Sequence, residues 1–246
     1  MKLRIRMGFA VAALVLPLAA CSSPESQVES GIAELEKQEP VYALLREHEP
    51  SAYAEMRALV EQTMRDGGRP NQPEMIRRSR EIFTQAIGRR VATAPDDVIQ
   101  QMTTFIADQT QALEKNPDVC RDLLAGRAGD IRPFIPVNLQ QRERALYETL
   151  LETPGRPDQP VATQEQLQKA FGPMLKDARG ALGLSESAIT NALNGAGPPA
   201  EVCRANGYLM RRISQLPANE GAPVFRLITR LANQARQGSS PVGSPK

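Results

Sequence analysis

The stretch from Pro95 to Leu113, PDDVIQQMTTFIADQTQAL, decides the fold class of this chain. Proline and two acidic residues suit the first turn of a helix, where backbone N–H groups lack partners and the helix dipole favours negative charge. After this start, apolar residues recur at helical spacing along one side. They are Val98, Met102, Phe105, Ile106 and Leu113. We therefore predict a long helix with one buried face.

Similar patterns, separated by proline and glycine, occupy most of the chain from Ile32 onward, and one of them opens with the capping-box pair Thr163 and Gln166. No hairpin signal is present. The apolar fraction is 41%, but aromatic residues make up only 4%, which suits helix packing better than a β-sandwich. We predict an all-α fold, an irregular multi-helix bundle of about eight to ten helices stapled by one disulfide.

The segment PGRPDQP, residues 154–160, breaks these patterns most clearly. We predict a helical subdomain over residues 31–153 and a second one, packed on the first, over residues 163–237. The Gly-, Ser- and Pro-rich residues 238–246 are expected to form a disordered tail.

The N-terminus has the pattern of an export signal: Lys2, Arg4 and Arg6 precede an apolar run from Met7 to Leu18. This run is too short for a permanent membrane span, which needs roughly 20 residues. The following Leu18-Ala19-Ala20-Cys21 resembles the lipobox of bacterial lipoprotein precursors.

The resemblance implies removal of the signal peptide, residues 1–20, and acylation of Cys21, with residues 21–30 as the lipidated cysteine and its tether. An ordinary signal peptide with a chance cysteine is the alternative. In enterobacterial lipoproteins Asp after the cysteine retains the protein in the inner membrane. Ser22 therefore favours the periplasmic face of the outer membrane, with the inner membrane as the alternative.

Removing the signal peptide also removes Lys2, Arg4 and Arg6, which leaves 27 basic residues against the 28 acidic ones. The mature chain would then carry a net charge of −1. This balance gives no indication of nucleic-acid binding. The expected partners are the membrane, through the lipid anchor, and a periplasmic protein.

Cys120 and Cys203 lie in similar segments, PDVCR at 117–121 and PAEVCR at 199–204. In each segment a proline and an acid begin a helix, and the cysteine follows about one turn later. We predict a disulfide between them, with two buried free thiols as the alternative. Two cysteines and a lone histidine, His48, fall short of a four-ligand metal set, so we expect no metal and no cofactor.

Arginines are the other visible feature, and their spacing places part of the set on one helix face. Such a face would bind lipid headgroups, lipopolysaccharide or an acidic protein; the alternative is a solvated face balanced by Glu. The arginines are Arg77, Arg78, Arg80, Arg89 and Arg90, with a smaller pair at Arg211 and Arg212.

We expect no catalytic residues. The motifs of serine hydrolases, β-lactamases and P-loop proteins are absent, and His48 suits a helix C-terminus. Acids at Glu34, Glu36 and Glu39, or at Asp96 and Asp97, leave room for a peptidoglycan hydrolase, which needs only two carboxylates. Solvated faces and helix-start acids are the simpler interpretation of these residues.

Three classes of function remain open at this point. The first is a non-catalytic, protein-binding lipoprotein, of which an immunity protein against a periplasm-acting toxin is one version. The second is an envelope assembly or maintenance factor that contacts lipid or cell wall. The third is a peptidoglycan hydrolase. The sequence favours the first, because it predicts a rigid exported scaffold and offers no catalytic set.

Overall fold

The computed structural model describes residues 24–38, 41–65, 72–128, 130–157 and 159–238. Throughout these residues the chain is all α, without a strand, and one disulfide joins two helices, which confirms the predicted fold class. The described residues form eleven α-helices, slightly more than expected. They are α1 (Pro24–Gln38), α2 (Val41–His48), α3 (Pro50–Arg65), α4 (Gln72–Thr93), α5 (Asp96–Ala112), α6 (Pro117–Leu124), α7 (Val137–Glu152), α8 (Gln164–Leu182), α9 (Glu186–Leu193), α10 (Pro199–Ser214) and α11 (Ala218–Gly238).

The first helix corrects the expectation of a tether over residues 21–30 from Pro24 onward. Helix α1 already begins at Pro24, and Val28 and Ile32 on it are buried, with 6% and 4% of their surface exposed. These two residues are four positions apart, so they share a helix face, which packs on α2 and α3. Val28 and Ile32 help to dock this mostly polar segment, together with contacts of Glu29 and Glu36 to α3.

Two helix boundaries follow the local sequence closely. At the start of α8, Thr163 Oγ1 accepts a hydrogen bond from Gln166 N, and Gln166 Oε1 accepts one from Thr163 N, as the capping-box pattern predicts. At its end, Gly183 has φ of 66°, a left-handed conformation that glycine adopts without a steric penalty.

Helices α5 and α10 form the most closely packed pair in the centre of the fold. Gly207 on α10 faces Thr110 on α5 so closely that an added Cβ would lie 2.9 Å from Thr110 Oγ1. The Thr110 hydroxyl donates to backbone carbonyls of its own helix and is buried, so it has little freedom to move away. Glycine at position 207 therefore sets the spacing of this pair.

One large apolar cluster draws residues from both sides of the 154–160 break. Leu150 and Leu151 precede the break, and Met174 and Ile213 follow it, yet all four pack in the same cluster. The loop after the break is tied down as well, because Ala162 N donates to Pro223 O at 3.1 Å. The two predicted subdomains thus share a core.

Arg226 on α11 is a buried cation that links segments distant in the sequence. Only 2% of its surface is exposed, and its guanidinium donates to Ala94 O at 2.6 Å, Asp96 Oδ1 at 2.7 Å and Pro160 O at 3.1 Å. It therefore joins α11 to the corner between α4 and α5 and to the loop after α7. Burial of a charge is tolerated here because an acid and two carbonyls surround it.

Candidate functional site

The predicted disulfide is confirmed. The sulfur atoms of Cys120 and Cys203 are bonded, with their Cα atoms 5.7 Å apart, and both residues are buried. The bond links α6 to α10, so neither thiol is available as a nucleophile. Cys21, the predicted lipidation site, lies outside the described residues.

The predicted arginine set does not act as one unit in the structure. Arg89 donates to Glu49 Oε2 at 3.0 Å, and Arg90 donates to Glu49 Oε1 at 2.8 Å and also to the carbonyl of His48. Glu49 is only 12% exposed in its side chain. These two arginines therefore fasten the end of α4 to the corner between α2 and α3.

The other three arginines lie in the first half of α4. Arg78 is exposed, and its Nη1 lies 3.5 Å from Gln62 Oε1 on α3. Arg77 and Arg80 belong to the same helix, but their side chains lie outside what the structure describes. The smaller pair is also divided, since Arg211 contacts Asp108 and Arg212 contacts Asp177 at 3.1 Å.

An open pocket of about 430 Å³ lies where α5, α7 and α10 meet. Phe105 and Leu146 form its apolar floor, and both are buried. The remaining lining residues are mostly polar and come from all three helices. They are Gln100, Gln101, Thr104, Arg142, Ala145, Thr149 and Ser214.

Each of the three hydroxyl groups that line this pocket already donates a hydrogen bond within the protein. Thr104 donates to Gln100 O at 2.8 Å, Thr149 to Ala145 O at 2.8 Å and Ser214 to Arg211 O at 2.8 Å. Their oxygen lone pairs therefore remain to accept N–H groups of a ligand. Arg142 adds guanidinium donors, so the pocket offers both partners that a peptide backbone requires.

Asp108 fixes the position of Arg142 at the edge of the pocket. Its two carboxylate oxygens accept hydrogen bonds from Arg142 at 2.8 Å and from Arg211 at 2.5 Å. Burial by itself raises the pKa of the Asp108 carboxyl, but the hydrogen bonds and charges of Arg211 and Arg142 outweigh it and hold the pKa below its usual value. Two guanidinium groups around one carboxylate leave a local positive charge beside the pocket.

Two of the acids that the sequence suggested for hydrolysis are bound to arginines in different parts of the fold. Glu36 accepts from Arg46 at 3.1 Å and from Tyr53 at 3.1 Å, whereas Asp96 is bonded to Arg226. Glu39 lies outside the described residues. No Asp, Glu or His is among the described residues that line the pocket, and within the described residues no group of three or more His, Cys, Asp or Glu could hold a metal ion.

Sequence reasoning did not find the pocket, although it identified the helices that build it. Gln101, Thr104 and Thr149 are ordinary polar residues on predicted helices, and no spacing within one helix indicates that they share a cavity. Arg142 and Asp108 are 34 positions apart and meet only because α5 and α7 pack antiparallel. A single sequence holds no signal for this pairing.

No protein-family model, curated protein or solved structure matches this chain. Among the described residues, no helix combines the length and apolar character that crossing a membrane requires. The function therefore has to be inferred from the residues themselves.

Proposed function

We propose that this chain is an exported lipoprotein, acylated at Cys21 and anchored at the periplasmic face of the outer membrane, that binds a protein partner without catalysing a reaction. The observation that carries this proposal is the buried disulfide between Cys120 and Cys203. Disulfides persist in oxidising compartments such as the periplasm and are rare in the bacterial cytosol.

Two independent features of the chain support export, and the first of them also supports anchoring. The sequence Leu18-Ala19-Ala20-Cys21 resembles a lipobox, and Ser22 favours sorting to the outer membrane. The oxidised pair Cys120–Cys203 supports export by a different route, since it depends on the compartment and not on the signal. Several acyl chains, each contributing roughly 0.8 kcal/mol per buried methylene, would anchor the protein stably.

The pocket between α5, α7 and α10 supports a binding role. Its apolar floor at Phe105 and Leu146 suits a hydrophobic side chain, while the hydroxyl acceptors and Arg142 suit the N–H and C=O groups of a peptide. The proposed role needs no metal and no cofactor. A segment of a periplasmic protein with an exposed backbone is the partner that fits this chemistry.

One version of this proposal is an immunity protein that blocks a toxin acting in the periplasm. It needs only export and a rigid face, and the disulfide-linked bundle supports the second requirement. Deletion of the gene should then make a strain sensitive to contact with its own kin, and survival of the deletion strain would argue against this version.

Site-specific photo-crosslinking in intact cells tests the binding role. A photoreactive amino acid at Gln101, which lines the pocket, should give a discrete adduct with a periplasmic protein. The same amino acid at Lys169, an exposed position on α8 away from the pocket, is the matched control and should give none. The substitution Thr104→Arg, which fills the pocket, should remove the adduct. Equal adducts at both positions, or no adduct at Gln101, would contradict the proposed binding face.

A further inference from the structure

The position of helix α1 determines where a lipid anchor would hold the protein. Glu29 pairs with Arg57, and Glu36 accepts a hydrogen bond from Tyr53, so α1 and α3 run antiparallel. Pro24, the start of α1, therefore lies toward the end of α3 at Arg65. Cys21 is only three residues from Pro24, a distance of at most about 11 Å along the chain.

Helix α4 begins at the same end of the bundle. Its last turns contact Glu49, which directly precedes α3, through Arg89 and Arg90. Nearer its start, Arg78 contacts Gln62, close to the end of α3. The two helices are thus antiparallel, and the start of α4 lies at the same end of the bundle as the start of α1.

Helix α7 runs in the same direction as α4. The rings of Phe83 and Tyr147 meet edge to face at 5.0 Å, and further along both segments the carbonyl of Thr93 accepts from the N–H of Arg156 at 2.8 Å. Val137, the first residue of α7, precedes Tyr147 by ten residues, which is about 15 Å of helix. The starts of α1, α4 and α7 therefore share one end of the bundle, which we term the anchor end.

Exposed apolar side chains are found at the anchor end. Among the described residues, Phe134 is 40% exposed and Val137 67% exposed, although both are large hydrophobic residues. Ile131 precedes both residues, and Ile135 lies between them in the sequence. Each of the two isoleucines is only 5% exposed and packs in the cluster around the disulfide. The segment is thus held rigidly by its isoleucines while Phe134 and Val137 point outward.

We refer to Phe134 and Val137 as the apolar tip. The positive charge of Arg132, next to this tip in the sequence, is neutralised. Arg132 makes two hydrogen bonds to Asp130, at 2.7 and 2.9 Å, and its side chain is only 12% exposed. An ion pair satisfied within the protein adds little to the cost of moving the tip out of water. Aromatic and aliphatic side chains favour the boundary between lipid headgroups and acyl chains.

We infer that the anchor end is the membrane-facing surface of this protein, and that Phe134 and Val137 enter the interfacial layer of the same bilayer that holds acylated Cys21. This inference rests on the acylation of Cys21 in the proposed function. The short connection from Cys21 to a docked α1 selects the lipid surface as the occupant of this apolar tip, because the anchor holds that end against the bilayer.

The chain contains no tryptophan, so a single introduced one reports its own surroundings. The acylated protein carrying Phe134→Trp is reconstituted into vesicles of phosphatidylethanolamine and phosphatidylglycerol, part of them with brominated acyl chains. The matched control is Leu231→Trp, because Leu231 is 48% exposed but lies only about 7.5 Å of helix from Arg226, at the opposite end of the bundle.

We expect the emission of Phe134→Trp to shift to shorter wavelength when the protein is reconstituted. The brominated lipid should at least halve its emission intensity and leave the emission of Leu231→Trp unchanged. The variant Val137→Trp repeats the measurement at a second position. Unquenched emission at both 134 and 137, or equal quenching at 231, would overturn the inference.

Intact mass measured on the same preparations separates this failure from failure of the proposed function. An acylated protein without quenching at the anchor end would leave the lipoprotein assignment standing and overturn only the orientation. An unmodified Cys21 would overturn both.

Discussion

Two regions of the molecule are held together internally by different kinds of contact. One is the inner pair of helices α5 and α10, with the disulfide beside it, and the other is the outer layer formed by α1 to α4. In the inner pair, Gly207 lies against buried Thr110, and Cys203 is bonded to Cys120, with both cysteines buried. In the outer layer, buried residues such as Leu45 and Met56 belong to the large apolar cluster, and ion pairs add to this packing. Glu29 pairs with Arg57, while Glu49 pairs with Arg89 and Arg90.

This difference indicates how stability is distributed in the molecule. Close apolar packing and a covalent bond are insensitive to salt, whereas partly exposed ion pairs are screened by it. We therefore expect the outer layer to open at a lower free energy than the inner pair. The segment nearest the proposed anchor belongs to the layer that is easier to detach.

Removing the disulfide should have the largest effect. The double variant Cys120→Ala/Cys203→Ala frees a loop that spans 83 positions, and the chain-entropy model gives a loss of about 4–5 kcal/mol in the free energy of unfolding. Urea unfolding of the oxidised parent and the variant measures it. A loss near zero would mean that the inner pair does not depend on the bond.

The close approach of α5 and α10 can be tested by a single methyl group. Gly207→Ala places a Cβ against buried Thr110, and overpacking should lower the free energy of unfolding by about 2–3 kcal/mol. Gly180→Ala on α8 is the matched control, because nothing lies within 4 Å of its added Cβ, and it should be neutral or stabilising. Equal effects of the two substitutions would contradict the spacing role of Gly207.

The outer layer is tested at its least exposed ion pair. Glu49→Gln removes the charge shared by Arg89 and Arg90 and should lower the free energy of unfolding by about 1.5–2 kcal/mol at low salt. Because salt screens the parent's ion pairs, the difference between parent and variant should shrink in high salt. Urea unfolding at two salt concentrations measures this, and a salt-independent difference would mean that packing, not charge, holds the corner.

The pH dependence of Asp108 gives the smallest expected effect. Its pKa in the folded protein is lowered, so its contribution is present above the unfolded value of about 3.9 and is lost as the pH falls through the folded value. Asp108→Asn should therefore lower the free energy of unfolding by about 1 kcal/mol at neutral pH. Thermal unfolding between neutral and strongly acidic pH should show this difference vanishing in acid, and a difference that persists there would be inconsistent with an ion-pair role.

Much of the fold could be predicted because its determinants are local. The start of α5 at Pro95, Asp96 and Asp97, and the capping box at Thr163, need only neighbouring residues. The disulfide could also be predicted from the sequence, because Cys120 and Cys203 are the two cysteines that remain once Cys21 is assigned to lipidation.

The parts that escaped prediction depend on contacts between distant residues. The polar composition of residues 21–30 predicts a tether, and only the packing on α2 and α3 shows that the helix already begins at Pro24 and buries Val28. Likewise, Arg226 was not distinguished from other arginines, although its partners Ala94 and Asp96 are about 130 positions away. The pocket has the same origin, because three helices build it.

The intact mass of the protein purified from the membrane fraction of its native host tests the central claim most directly. We expect a chain that begins at Cys21, carries acyl groups on that residue, and has the Cys120–Cys203 bond closed. A mass that corresponds to an unmodified chain still starting at Met1, with both inner thiols reduced, would contradict export, anchor and membrane orientation together.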